Sequence, residues 1–338
     1  MNSREYGPRK GSSARFGAGV LVPLVALVGL LAAACSSSGD GGTNGGDSSA
    51  VSSPAGASGA TTPSTAKTTS SAPAKPAKKV HVSGYPDGST VGVGMPIIAT
   101  FDRKISSGVE FAKNTTVTVN GHAVNGGWYF EYSAKSSGHR MEAHFRMKDY
   151  WPAHAHVHVA FKLKGVSAGK GLVFDGKLSS LDFFTGARNV ALVNDSTHHI
   201  IVTSDGEQKY DFPVSLGATA TPTARGTKVI MEKGVSICMH GPGYNECGIK
   251  YTQRLTYGGE YLHAAPWNTS NINRGVDSSN GCTNLHPNDA KTLYDFLRIG
   301  DIVQYPNANG PAMTMGAGYG DWNVPWVQWE TGGAVPVS

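Results

Sequence analysis

One cysteine sits among small residues in Ser278-Ser279-Asn280-Gly281-Cys282-Thr283-Asn284. Glycine beside a cysteine lets a substrate or a second backbone come close, and small polar neighbours keep the thiol reachable. A thiol nucleophile needs a base. His263, His286 and His240 (the last in Met239-His240-Gly241-Pro242-Gly243) all stand at workable sequence distances. Spacing alone does not choose between them. His286 also falls where a helix is expected to begin, a position that calls for a capping residue. The chemistry on offer is nucleophilic catalysis by a Cys–His pair; the alternative is a structural cysteine on a loop.

A second group, His154, His156 and His158, alternates along one expected strand, which would put three imidazoles on one face. Three histidines can bind zinc. No carboxylate partner is evident beside them, and the same alternation turns Ala155, Val157 and Val159 inward. The group reads as a solvent-facing side of a sheet, and neither a metal nor a cofactor is expected.

These residues need a frame. Strands are expected at 189–194 and 199–203, with an Asp205-Gly206 turn leading to another at 209–214. The segment 287–297 reads as the one clear helix. Pro287 suits its first position, Ala290, Leu293, Tyr294 and Leu297 share a face, and Gly300 closes it. Upstream, Pro86-Asp87-Gly88 is a turn, 97–101 a strand, and 115–119 leads into the hairpin turn Asn120-Gly121. Further runs at 128–132, 141–146, 156–163 and 181–185 complete seven or so strands with no helical period, as in a β-sandwich. The expected fold class is mainly β.

The chain has 338 residues, enough for two domains, with 44 glycines and 16% charged residues. That composition argues against a coiled coil or a polytopic membrane protein. The net charge of +5 arises in the first 79 residues, because 21 basic and 21 acidic residues follow. A nucleic-acid footprint should lie on the folded part, so nucleic acid is excluded as a partner. Arg4, Arg9, Lys10 and Arg15 precede an apolar run over 20–31 and then Leu31-Ala32-Ala33-Ala34-Cys35. This is the pattern of an export signal, too short for a comfortable permanent span. It resembles a bacterial lipoprotein signal with Cys35 as the lipidated N-terminus; the alternative is an ordinary signal peptide. Residues 36–79 contain no aromatic side chain, and 36 of the 44 are Ser, Gly, Thr, Ala or Pro. Such a segment is expected to be a disordered tether spanning roughly 35–40 Å. In an oxidising compartment Cys238 and Cys247, nine positions apart across a glycine-rich loop, can pair, which leaves Cys282 as the unpaired thiol.

His263-Ala264-Ala265-Pro266-Trp267, the spacer to Ser279, and Ser279-Asn280-Gly281-Cys282-Thr283-Asn284 together resemble the signature of the YkuD-type L,D-transpeptidases. Tyr85-Pro86-Asp87-Gly88-Ser89-Thr90-Val91-Gly92-Val93-Gly94-Met95-Pro96 resembles the opening of the bacterial Ig-like domain that precedes the catalytic domain in actinobacterial members. Phe212-Pro213-Val214-Ser215-Leu216-Gly217, Thr221-Pro222-Thr223, Gly300-Asp301-Ile302-Val303 and Gly320-Asp321-Trp322-Asn323-Val324-Pro325-Trp326 are similar too. The resemblance implies a signal peptide over 1–35, a linker over 36–79, an Ig-like sandwich over 80–187 and a catalytic domain over 188–306. A C-terminal extension, 307–338, is expected to pack on the catalytic domain.

The resemblance further implies Cys282 as nucleophile, His263 as base and the Ala264 backbone carbonyl as the group that orients the imidazole. Backbone N–H groups of Gly281 and Cys282, with the Tyr244 hydroxyl, would meet the oxyanion. Asn284, Trp267, Ser279 and Asn280 would line the substrate site; position 280 is most often His in the family. The implied reaction forms 3→3 cross-links between peptidoglycan stem peptides, from a tetrapeptide donor to a diamino-acid amine acceptor. It serves cell-wall organisation and cell shape. Carbapenems acylate the same cysteine in relatives. Other readings are an L,D-carboxypeptidase acting by hydrolysis, or an inactive wall-binding lipoprotein. The location implied is the outer face of the cytoplasmic membrane, held by a lipid anchor.

Overall fold

The computed structural model describes residues 76–132, 141–241 and 244–338. The export signal, Cys35 and the tether up to residue 75 lie outside the described residues, as does the Tyr244 side chain. Among the described residues no helix is long and apolar enough to cross a membrane.

The first half is a sandwich. One sheet orders its strands Thr90–Val91, Ser180–Thr185, His156–Phe161, Thr115–Val119 and His122–Ala123; the other orders Val82–Tyr85, Ile97–Phe101, Met141–Met147 and Gly126–Glu131. Asn120 and Gly121 take positive φ, 50° and 81°, as the hairpin between two of these strands requires. Ala155, Val157 and Val159 are fully buried, so the inward half of the alternation is as expected. The sheets close on Phe111, carried by the short helix Val109–Lys113, whose ring lies 4.9–6.0 Å from those of Phe101, Trp128, Phe130, Phe161 and Phe174.

Two expectations need correcting here. The linker ends earlier than residue 79, because Lys78–Val80 pairs in parallel with Leu172–Phe174; lysine is well tolerated on such an edge. His154, His156 and His158 do not share a strand face either. His154 precedes the strand with φ 55° and bonds Asp205 at 2.9 Å, while His156 and His158 both bond Asp182, at 3.0 and 2.9 Å. The carboxylate partners come from elsewhere in the chain, which sequence proximity could not reveal.

The second half also has two sheets. One runs Glu207–Pro213, His199–Ser204, Asn189–Asn194, Ile302–Tyr305 and Gly226–Val229; the other runs Glu232–Gly241, Tyr244–Arg254, Tyr261–Ala264 and Thr283–Leu285. The helix Pro287–Phe296 starts at its proline and buries Ala290 and Leu293, and Leu297 beyond it joins the same core. His286 occupies its N-cap position but makes no side-chain cap; its ring bonds Asn273 at 2.8 Å. Short helices at Thr269–Arg274 and Trp326–Trp329 accompany it.

The two halves meet backbone to backbone. The Gly92 and Gly94 N–H groups donate to the carbonyls of Ile299 and Gly300, at 2.8 and 2.9 Å. A Cβ on Gly92 would stand 2.1 Å from the Asp301 nitrogen, so only glycine permits this approach. The C-terminal segment crosses the same seam. It bonds the second half through Asn323, which accepts from the Thr227 N–H at 2.8 Å. It then reaches the sandwich: Trp322 donates to the Gly94 carbonyl, Trp329 stacks on Tyr129 and donates to the Gly127 carbonyl, and Val335 joins the first core. The expectation named the catalytic domain for this segment; it reaches the sandwich as well. Its tryptophans find their apolar partners on the sandwich.

Candidate active site

The strand Tyr261–Ala264 and the strand Thr283–Leu285 pair in parallel, with His263 in register with Asn284. A parallel pair needs a crossover. Here it runs through Pro266–Asn268, the helix Thr269–Arg274 and the cysteine loop, so it returns Cys282 to the end of the strand beside His263. Both residues line one cavity of about 540 Å³, together with Trp267, Asn284, Ser279 and Asn280. His286 and His240 are absent from that lining. The three histidines thus separate by position.

The His263 ring donates from Nδ1 to the Ala264 carbonyl at 2.9 Å. A carbonyl only accepts, so this bond fixes the tautomer and leaves Nε2 with its lone pair. Burial lowers the His263 pKa, with the Ala264 bond opposing the shift. Trp267, 64% exposed, stacks over the imidazole with ring centroids 6.0 Å apart. The Cys282 thiol donates to the Gly259 carbonyl at 3.5 Å. Burial pushes it up to about 12; Glu260 adds to the rise, while a backbone bond from Tyr261 and the Lys228 ammonium pull it down. Burial thus favours the neutral form of both groups.

The loop around Cys282 is strapped from outside. Thr223 accepts from the Gly217 N–H at 2.9 Å and donates to the Gly281 carbonyl at 3.0 Å, and Thr221 donates to the Ser279 carbonyl. Ser279 donates its hydroxyl to the Cys282 carbonyl at 2.6 Å, so it also shapes the loop. Gly281 has φ +97°, a left-handed conformation that other residues adopt only with strain. Among the described residues neither the Gly281 nor the Cys282 N–H donates to a backbone carbonyl. Asn284 is buried and its Oδ1 has no partner in the structure. Asn280 is exposed and borders a second cavity behind the loop.

Several supporting residues carried no signal in the sequence. Asn268 donates to the Ser215 hydroxyl and accepts from Ser278 and Asn271, which ties the crossover to the loop. Lys228 is fully buried, bonds Glu260 at 2.5 Å and sits 3.9 Å from the Tyr305 ring centroid. A lone lysine on a strand gives no hint of burial. Met239 and Glu246 reach the cavity from the hairpin of Glu232–Gly241 and Tyr244–Arg254. Cys238 and Cys247 are bonded across that hairpin, in register, and Cys282 is the free cysteine among the described residues. Closing a loop of this length removes about 2–3 kcal/mol of chain entropy from the unfolded state.

Comparison with known proteins bears on both halves. Residues 188–304 match the L,D-transpeptidase catalytic domain, and residues 48–167 match a bacterial Ig domain. L,D-transpeptidase 2 of Mycobacterium tuberculosis is 30% identical over 73% of this chain and 60% of its own length. L,D-transpeptidase 5 of the same species is 31% identical over 74% of this chain and 55% of its own length. The chain thus matches little more than half the length of these curated relatives. Among solved structures, that of the LD transpeptidase LdtMt1 in complex with imipenem superposes with a TM-score of 0.53. It is 26% identical and covers 66% of this chain and 96% of its own.

Proposed function

From a chain that carries an L,D-transpeptidase catalytic domain behind a bacterial Ig domain, we propose a peptidoglycan L,D-transpeptidase that forms 3→3 cross-links through a thioester on Cys282. The observation that carries this reading is the shared cavity of Cys282 and His263, with the imidazole held by the Ala264 carbonyl.

A tetrapeptide stem enters beneath the disulfide-closed hairpin. Cys282 turns from the Gly259 carbonyl, and His263 Nε2 removes its proton as sulfur attacks the carbonyl carbon of the diamino residue. The oxyanion meets the Gly281 and Cys282 N–H groups, with the Tyr244 hydroxyl as a further donor. The C–N bond to D-Ala breaks, and the departing amine takes the proton from His263. A side-chain amine of a second stem then attacks the thioester, His263 receives the amine proton, and the thiol returns with its hydrogen. Asn284 offers its free carbonyl oxygen to a stem N–H, while Trp267 and Asn280 flank the entrance. No cofactor is needed for any step. Imipenem, present with LdtMt1, is expected to acylate Cys282 by the same attack.

The rest of the reading follows from the head of the sequence. Cys35 is lipidated after export, residues 36–77 form the tether, and the enzyme works on the outer face of the cytoplasmic membrane. The Cys238–Cys247 bond suits that oxidising compartment. The test supplies purified tetrapeptide stems with and without an amine acceptor and follows products by mass spectrometry. Dimers lacking one D-Ala, formed by the wild type and not by Cys282→Ala, are expected. Tripeptide alone in the presence of acceptor would mean hydrolysis, and no turnover would mean an inactive wall-binding protein.

A further inference from the structure

A buried group in the sandwich stands apart from the thiol chemistry. Glu131 and Glu142 lie directly opposite each other on neighbouring antiparallel strands, and His144 lies two residues beyond Glu142 on the same side of its strand. Like charges in such a cross-strand pair repel. The three side chains offer ligand atoms all within 4.8 Å of one another. His144 Nε2 stands 3.5 Å from a Glu142 oxygen and 3.8 Å from a Glu131 oxygen. The His144 side chain is fully buried, and its Nε2 has no hydrogen-bond partner in the structure.

On the other side of the ring, Nδ1 meets the fully buried Asp321 carboxylate at 2.8 Å. If Nδ1 carries the hydrogen, Nε2 presents its lone pair to the two glutamates. This carboxylate–imidazole arrangement is the one that orients histidine ligands of zinc. Zinc bonds of about 2.0–2.2 Å in a tetrahedron separate neighbouring ligand atoms by about 3.3–3.6 Å. The 3.5 and 3.8 Å spacings are close to that, and a small side-chain movement closes the difference. Among the described residues, no lysine or arginine lies within salt-bridge distance of Glu131 or Asp321.

We propose that Glu131, Glu142 and His144 bind one divalent transition-metal ion, zinc foremost, with Asp321 holding the imidazole from behind. Asp321 belongs to the C-terminal segment, beside the Asn323 that bonds the catalytic half. The ion would therefore clip the sandwich hairpin to the strap that crosses to the catalytic domain. Its position is distinct from the cavity of Cys282, and the proposal does not depend on the peptidoglycan reading.

The test uses the full chain, stripped with EDTA and given zinc, in a Cys282→Ser background so that the active-site thiol does not compete. One zinc per chain is expected, with an anomalous diffraction peak at the zinc edge between His144 Nε2 and the two glutamates. Glu131→Gln and His144→Gln should each weaken zinc binding at least about 100-fold, and Asp321→Asn about 10–100-fold. His198→Asn alters a second cluster, with Asp195 and Asp277, and should leave the peak in place. Should the buried variants fail to fold, the anomalous map of the chain with the cluster intact decides. No peak at the cluster, a peak elsewhere only, or folded variants that bind zinc as before would overturn the proposal.

Discussion

His263 and Cys282 carry opposite burdens of the same burial. Desolvation lowers the imidazole and raises the thiol to about 12, so the proposed mechanism couples proton transfer to carbon–sulfur bond formation. The pH dependence follows with a definite sign. Protonation of His263 removes the base, and its lowered pKa places that loss below the ordinary histidine value of about 6.5. Carbapenem acylation should be level from about pH 7 to 10 and fall on the acid side. A rate climbing through pH 8–9, as for an ordinary thiol near 8.5, would contradict this. Asn280 is exposed and neutral, so Asn280→His should change the acylation rate by less than about tenfold, equivalent to ~1.4 kcal/mol of barrier. His263→Ala should cost far more. If Asn280→Ala were dead and His263→Ala active, the base would be misplaced.

Elements supply the precision that the loop itself lacks. Thr223 holds the Gly281 carbonyl and the Gly217 N–H with one hydroxyl. Thr223→Val keeps the shape and strands both partners, which should lower stability by about 1–3 kcal/mol in thermal melts. Acylation should slow at least about tenfold as the Gly281 N–H loses its aim. Full stability with full activity would show that the strap is dispensable. Much of this frame is legible in the sequence. Alternation marks 155–159 as a buried-inward strand, Asn120-Gly121 fixes a hairpin, and Pro287 starts the helix. Side-chain bridges across distant segments are not legible. The Asp205 and Asp182 partners of the histidines, and the Lys228–Glu260 pair, follow from tertiary approach, which leaves no local period. The cysteine loop stands out by its small neighbours, whereas its pairing with His263 is read from the family resemblance, because spacing alone leaves three histidines open; Asn268, which ties the crossover together, has no distinguishing neighbours.

Across the whole molecule, the seam between sandwich and catalytic domain rests on glycine backbone and on the C-terminal strap. The Val91-Gly92-Val93-Gly94 run reads only as family likeness, yet its glycines are where two backbones touch. The strap has no regular period, and its tryptophans gave no sign of which half they cover. Gly92→Val would set a side chain against the Gly300 and Asp301 backbone, which cannot yield as a flexible side chain would. Calorimetry should then separate two melting transitions where the wild type shows one. A single transition at the wild-type temperature would mean that the seam tolerates the gap.

The central claim is that Cys282 alone performs covalent chemistry. Intact-mass and peptide mass spectrometry after imipenem treatment tests it most directly. One drug mass per chain on the peptide containing Cys282, absent in Cys282→Ala, is the predicted result; an adduct that survives that substitution would contradict it.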